Sequence, residues 1–327
     1  MAIKRPRCKE NSEGDQVVSL GPMVGTSPII RELFAQIRSY AQTEFPVLIT
    51  GESGTGKELV ARTVHLLSSR HRGPFIPVNC GSLSPNIANS ELFGHVRGAF
   101  TGADRARKGA FHSASGGSLF LDEFGELSLN VQASLLRTLE TGDIRQLGSD
   151  SSSRSNVRLI CATNVDLWGA ADRGTFRDDL LFRVDVLRLH VPPLRDRLTD
   201  LDVLVPHLLS RLPTPTGIED EALALLKSYH WPGNVRELRN VLTRCVIRSA
   251  EYRQIKPQHV SDILLRLQPN HRDSDRIGTA SFRLQTFDAV SQCLHDNAGN
   301  RKTTYQSLGI PRSTFYRWLR EGKIVDR

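Results

Sequence analysis

The chain has 327 residues, 39% hydrophobic and 24% charged. At roughly 100–200 residues per domain, that allows two domains and a small third module. The composition excludes global disorder, and no apolar run approaches the ~18–20 residues of a membrane span. The net charge of +8 is uneven. Residues 1–12 hold four Lys/Arg and one Glu; residues 271–327 hold ten Lys/Arg and six Asp/Glu; the middle keeps only +1. Basic ends on a near-neutral body direct a polyanion to an end segment. Five widely spaced cysteines (Cys8, Cys80, Cys161, Cys245, Cys293) include no C-x-x-C pair. They fit neither a disulfide framework nor a zinc site, and point to reduced thiols in a cytoplasmic protein.

Residues 1–20 are polar and charged and read as a flexible tail without the apolar stretch of a secretory signal. Residues 21–193 read as an α/β domain: short aliphatic strands at 46–50, 75–79, 119–122, 157–162 and 186–191 alternate with amphipathic helical runs. The first strand runs into Gly51-Glu52-Ser53-Gly54-Thr55-Gly56-Lys57-Glu58. A helix follows, with Leu59, Val60, Thr63, Val64 and Leu67 expected on its buried side. Strand, glycine-rich loop and helix make the context of a P-loop, whose amides and lysine hold nucleotide phosphates. Glu58 stands where Ser or Thr would contact magnesium in the general pattern. Leu119-Phe120-Leu121 then ends in Asp122-Glu123, an apolar strand closing on two acids as in a Walker B motif. One carboxylate can orient magnesium, directly or through water, and the next can polarise the attacking water. A third strand ends at Thr163-Asn164, a polar tip able to sense the γ-phosphate. Between the Walker motifs, Gly98 and Gly102 bracket Phe100, an aromatic in a loop that suggests a contact surface.

Residues 194–266 read as wholly helical, with a chain break at Trp231-Pro232-Gly233 and Asn234 placed to cap the next helix. Residues 267–281 read as a linker. Residues 282–327 read as three helices: one with Phe287, Val290 and Leu294 on its buried side, a second over 301–308 that Asn300 can cap, and, after a turn at Leu308-Gly309-Ile310, a third started by Pro311. Arg312, Ser313, Tyr316, Arg317 and Arg320 share one face of that helix, opposite Phe315, Trp318 and Leu319. This is a helix-turn-helix pattern, with guanidiniums and hydroxyls available to bases and phosphates of duplex DNA.

The run Gly98, Ala99, Phe100, Thr101, Gly102, Ala103 matches the GAFTGA signature of sigma-54-dependent transcriptional activators. The likeness extends over about residues 21–265, through GESGTGKE, ELFGH, GGSLFLDE, FRDDLLFR, PPLRDR and WPGNVRELRNV. The chain therefore resembles this family of bacterial enhancer-binding AAA+ ATPases, and the final segment resembles their Fis-type helix-turn-helix. There, Thr303 and Thr304 occupy positions where small alanines are commoner.

The resemblance implies an AAA+ P-loop fold with a helical lid, and ATP and Mg2+ as ligands. Glu at position 58 is usual in that family. Lys57, Asp122 and Glu123 would bind and hydrolyse ATP, and Asn79 resembles the switch residue that restrains the catalytic glutamate. Thr163 and Asn164 resemble sensor I, and Arg236 resembles sensor II. Arg177 and Arg183 resemble arginine fingers that reach a neighbouring subunit's γ-phosphate. Six residues apart on one helix, they would point roughly opposite ways at about 100° per residue. Phe100 and Thr101 would touch sigma-54 in the polymerase holoenzyme. The implied assembly is a homo-oligomeric ring, a hexamer, that a related subunit could join. Its implied partners are enhancer DNA and the holoenzyme, with no membrane. Too few residues precede the match to form a receiver domain, so control by a separate inhibitory protein, a co-activator or expression level is expected. Two rival classes share parts of the pattern. An AAA+ unfoldase or helicase loader has no need of Gly98–Ala103, and a repressor with a decayed ATP site has no need of intact nucleotide motifs.

Overall fold

The structure is a computed structural model describing residues 18–82, 85–100, 103–212, 214, 216–249, 253–267, 294, 300–301 and 304. The chain divides into two compact units, residues 1–263 and 264–327.

Five parallel strands form the central sheet of the first unit: β1 (Val47–Thr50), β2 (Phe75–Asn79), β3 (Ser118–Asp122), β4 (Arg158–Thr163) and β5 (Leu187–His190). Their spatial order is β5-β1-β4-β3-β2. All five lie where aliphatic runs predict them, displaced by a residue or so at the ends. Period-two alternation sends side chains to two cores. Val47, Ile49, Phe120, Ile160 and Ala162 face one cluster, shared with α1 (Pro28–Ala41) and α2 (Lys57–Leu67). Leu48, Leu119, Leu121, Leu159 and Cys161 face the other. That second cluster includes residues of α3 (Pro85–Phe93), α4 (Leu129–Thr141), α5 (Leu167–Asp172) and α6 (Asp178–Val184). The result is a sheet with helices on both faces.

Register aligns the polar strand ends. Thr50 pairs with Thr163 on one side and His190 on the other, and Asn79 pairs with Asp122. In open parallel sheets ligands bind outside these carboxyl ends. Arg158, at the opposite end of β4, is buried and donates to the carbonyls of Ala41 and Tyr40 at 3.0 and 2.7 Å. A cation there adds charge-assisted bonds to carbonyls at the C-terminus of α1 and fixes that helix to the sheet.

Three expectations change. Val18–Leu20 is a strand paired with Met23–Gly25, so the end of the supposed tail belongs to the folded body. Leu20 is buried, which anchors the hairpin; residues 1–17 lie outside the described residues. Leu59 is exposed, because the stripe of α2 that meets the core runs through Val60, Ala61 and Val64. The polar segment after α4 forms a hairpin, Asp143–Arg145 with Ser152–Arg154, that hydrophobic periodicity does not reveal.

The lid follows Pro193. It contains α7 (Leu201–Leu209), α8 (Asp220–Lys227), α9 (Asn234–Arg248) and α10 (Pro257–Leu267), but it is not wholly helical as expected, because Gly217–Ile218 pairs in parallel with Gln254–Ile255. Trp231 is fully buried at the break before α9, and its indole N–H donates to Leu226 O at 2.8 Å. In the second unit Leu294 and Thr304 are buried, and Thr304 Oγ1 donates to Asn300 O at 2.9 Å. Cys80, Cys161 and Cys245 are free and buried, while Cys8 and Cys293 lie outside the described residues. Burial, with Asp122 and Glu123 nearby, pushes the Cys80 thiol up to about 12, so it stays protonated at neutral pH.

Candidate functional site

β1 delivers the chain at Thr50 into the glycine-rich loop, and α2 begins at Lys57. Gly56 caps α2 in a left-handed conformation, with open space where a Cβ would stand. The helix N-terminus is thus bare of side chains, as an anion site requires. Lys57 Nζ donates to Gly51 O and Glu52 O at 2.8 and 2.9 Å. Burial lowers its pKa, Asp122 opposes that, Arg236 adds to it, and Glu123 opposes it. A half-desolvated ammonium between such groups favours a polyanionic ligand. Glu58 turns away along α2 and pairs with Arg62 at 2.8 Å.

Asp122 closes β3 beside Asn79 of β2, and its Oδ1 accepts the Glu123 amide at 2.9 Å. Glu123 itself is left-handed, with φ of 53° and ψ of 41°. A β-strand that must turn abruptly into the Phe124–Glu126 turn stores that strain at the second acid. The Glu123 carboxylate lies over Gly81: a Cβ there would stand 2.0 Å from Oε2. Only glycine lets the carboxylate rest against that turn. Asn79 Oδ1 accepts the Ser82 amide at 3.0 Å, which fixes the same turn from the other side. Thr163 is buried and its Oγ1 accepts the Val165 amide at 3.0 Å, while Asn164 is exposed. A cleft of about 340 Å³ is lined in part by Thr50, Gly51, Glu52, Thr163, Asn164 and His190. Neither Lys57 nor Asp122 lines it, so it borders the P-loop and is not the phosphate cradle.

Lysine, a bare helix N-terminus and two adjacent acids fit a nucleoside triphosphate with its divalent cation. Among the described residues no cluster of three or more His, Cys, Asp or Glu could hold a metal alone. Magnesium would therefore share Asp122 with phosphate oxygens, as that ion commonly does.

Residues beyond the sheet grip the P-loop. Arg195 donates to both carboxylate oxygens of Glu52, at 2.8 and 2.5 Å. This bidentate pair, with the Asn234 amide, holds the Glu52 carboxyl down to about 2. Arg236 Nη1 donates to Ser53 Oγ at 2.9 Å, and its amide donates to Gly54 O at 3.2 Å. Arg197 is buried and donates to Thr55 O at 3.1 Å.

The loop that follows α3 is built differently. The amide of Gly98 donates to Ala103 O at 2.9 Å and closes its base. Ala103 is buried, so it anchors the loop; it does not present a contact. Phe100 is 46% exposed, with its ring edge-on to His95 at 5.1 Å. His95 in turn shares a 2.7 Å hydrogen bond with Ser90 of α3. Thr101 and Gly102 lie outside the described residues.

The sigma-54 interaction domain family matches residues 23–190, and the AAA+ ATPase lid domain matches residues 195–277. The chain belongs to the sigma-54 interaction domain family. It is 47% identical over 236 residues to a Nif-specific regulatory protein of Azospirillum brasilense, covering 71% of this chain and 38% of that protein. It is 38% identical to the response regulator protein PilR of Pseudomonas aeruginosa, covering 95% of this chain and 72% of that protein. The chain thus spans about two fifths of the first curated relatives it matches. Among solved structures it resembles NtrX from Brucella abortus in complex with ATP. The TM-score there is 0.67 at 31% identity, covering 91% of this chain and 68% of that one.

In this sigma-54 interaction domain the expected site residues fall into three groups. Lys57, Asp122 and Glu123 converge, with Asn79, Thr163 and Asn164 at neighbouring strand ends. Among the described residues, Arg177 and Arg183 bond to Asp179, Gln132 and Leu139 and not to this chain's own P-loop. Arg177 is the extended residue capping α6, not a member of the helix, so helical periodicity does not relate it to Arg183. It forms an ion pair with Asp179 at 2.6 Å, and Arg183 donates to Leu139 O at 2.8 Å. Both are exposed. Arg312, Ser313, Tyr316, Arg317 and Arg320 lie outside the described residues. Asn234 departs from its expected part: it makes no side-chain cap, and Glu237 accepts the Gly233 amide at 2.8 Å instead. Arg195, Arg197 and the true role of Asn234 escape sequence reading. Their only signal is that they fall inside the PPLRDR and WPGNVRELRNV motifs, whose residues the sequence does not connect to the P-loop.

Proposed function

We propose that this chain hydrolyses ATP in an oligomeric ring and uses the energy to remodel sigma-54 RNA polymerase holoenzyme for promoter opening. Supporting this, an intact Lys57–Asp122–Glu123 constellation shares a rigid α/β body with a loop that presents Phe100. Lys57 holds the β and γ phosphates, Asp122 orients magnesium, and Glu123 polarises the attacking water. Thr163 and Asn164 sense the γ-phosphate, and Arg236 senses it from the lid. Asn79 acts on Glu123 through the Gly81–Ser82 turn that it pins. Exposed Arg177 and Arg183 serve a neighbouring subunit, so hydrolysis requires the ring, taken here as a homohexamer. Gly98–Ala103 meets sigma-54, with Phe100 and Thr101 as the contacting side chains. Residues 282–327 bind enhancer DNA through Arg312, Ser313, Tyr316, Arg317 and Arg320. A DNA-bound activator of polymerase acts in the bacterial cytoplasm.

The deciding experiment is ATP-dependent open-complex formation by sigma-54 holoenzyme, comparing the wild type with Phe100→Ala. ATP hydrolysis retained with promoter opening lost is the expected outcome. Promoter opening by an unrelated sigma factor, driven equally by wild type and variant, would overturn the proposal.

A further inference from the structure

Asn234 is fully buried, and its backbone is left-handed with φ of 53°. Asparagine tolerates that conformation better than most residues. Its side chain is equally committed. Oδ1 accepts the Leu194 amide at 2.7 Å, and Nδ2 donates to Glu52 Oε2 at 3.1 Å and to Ser53 O at 3.0 Å. The amide orientation is determined by these partners: reversed, Oδ1 would face a carboxylate and a carbonyl, and the NH2 would face an N–H. Glu52 also takes the bidentate pair from Arg195, the residue after Leu194. Four residues therefore form a closed ring joining three segments: the P-loop, the entry to the lid, and the start of α9. Two positions further on, Arg236 touches Ser53 and Gly54.

We propose that Asn234 is a positioning residue that fastens the lid to the P-loop and thereby sets nucleotide affinity. It touches no nucleotide-contacting lysine or acid. It acts by holding Glu52 and Ser53 where the loop amides converge, and by passing any shift of that loop to Leu194 and Arg236. The idea rests on the nucleotide-binding part of the proposed function alone, and is independent of sigma-54.

The test uses the full chain and Asn234→Gly, which keeps the left-handed backbone while deleting the amide. Titration with a fluorescent ADP analogue should show a dissociation constant raised about tenfold, the equivalent of ~1.4 kcal/mol. KM for ATP should rise in step, with kcat changed less. The specific signature is a swap. Asn234→Asp sets a second carboxylate against Glu52 and should weaken binding further. Combining it with Glu52→Gln relieves the carboxylate–carboxylate repulsion but sets the new NH2 against Arg195 and leaves an oxygen facing Ser53 O, so affinity should recover only in part, with a loss smaller than the sum of the two single losses. Additive losses in that double variant, or wild-type affinity in a folded Asn234→Gly chain, overturn the proposal. If Asn234→Gly fails to fold, Arg195→Ala opens the same ring from an exposed position. A severalfold loss of affinity is then expected, and unchanged affinity overturns the idea. A wild-type chain that binds no nucleotide would defeat the proposed function itself.

Discussion

Gly54 and Gly98 share a φ of +80°, and there the likeness stops. A Cβ on Gly54 would stand 2.4 Å from Gly233 O, while a Cβ on Gly98 would meet nothing within 4 Å. Around Gly54, four consecutive P-loop residues are bonded to lid residues Arg195, Arg197, Asn234 or Arg236. Around Gly98, the described residues of the loop are bonded only among themselves and to Val96, at Gly98–Ala103, Ala99–Val96 and Ala103–Phe100, and the Phe100 ring leans on His95. The same backbone state thus serves opposite ends. One glycine permits a close approach that preorganises a phosphate site, and preorganised donors need no rearrangement when charge develops. The other supports a left-handed turn that no neighbour crowds, so glycine there serves the path of the loop itself.

The largest effect should come from a residue that neither region touches. If hydrolysis depends on a neighbour's cation, Arg177→Ala should cut ATP turnover by about 10³–10⁵ while nucleotide binding persists. Steady-state phosphate release and nucleotide titration on the assembled protein check this. Normal turnover in an assembled Arg177→Ala protein would return all the chemistry to the P-loop side, with Arg177 reduced to its ion pair with Asp179.

The two glycines supply the sharper test. Ala at either position meets the left-handed penalty of about 1–2 kcal/mol. At Gly54 the added methyl must also displace the Gly233 backbone, and with it Asn234 and Arg236. Gly54→Ala should therefore abolish nucleotide binding and lower the melting temperature well beyond Gly98→Ala. Gly98→Ala should leave nucleotide binding at the wild-type level and lose promoter opening. Equal melting shifts would mean that the crowding at Gly54 relaxes freely.

This contrast also measures what the sequence makes legible. The three inner strands were readable because burial on both faces demands continuous apolar runs, and Leu119–Leu121 and Leu159–Ala162 are such runs; the two edge strands, largely half-buried or exposed, follow only from short apolar stretches. The positions of Lys57 at the start of α2 and of Asp122 and Glu123 at the end of β3 were readable because a strand running into a glycine-rich loop or into two acids is a local pattern, although β4 lies between the two strands. Asn234 was misread because an Asn after Trp-Pro-Gly is locally a good cap, whereas its actual partners, Glu52 and Ser53, lie over 180 residues away in sequence. Arg177 was placed inside a helix that starts one residue later, a boundary set by tertiary contact: its amide donates to Gln132 Oε1 at 2.8 Å. The Asp143–Arg154 hairpin has two exposed serines facing its partner strand and no apolar alternation to betray it.

The smallest effect concerns the Glu52–Arg195 pair. Arg195 and the Asn234 amide hold the Glu52 carboxyl down to about 2, against an ordinary value of 4.5. A depressed carboxylate contributes stability above its unfolded value and loses it as pH falls toward its folded value. The contribution should thus be complete above about pH 5.5 and decline between pH 4.5 and 2. Both side chains are close to half exposed, so solvent and salt screen the pair and the effect is modest. Melting curves of wild type and Glu52→Gln across that range should converge as pH falls, and converge sooner in high salt. Because the folded carboxyl stays ionised until pH nears 2, it keeps its hold on the Asn234 amide through this window, so nucleotide affinity in Glu52→Gln should lie below the wild type by a constant factor across it. Equal affinity in both would show that the grip on the P-loop comes from Arg236 and Arg197 and not from the Glu52 side of the ring.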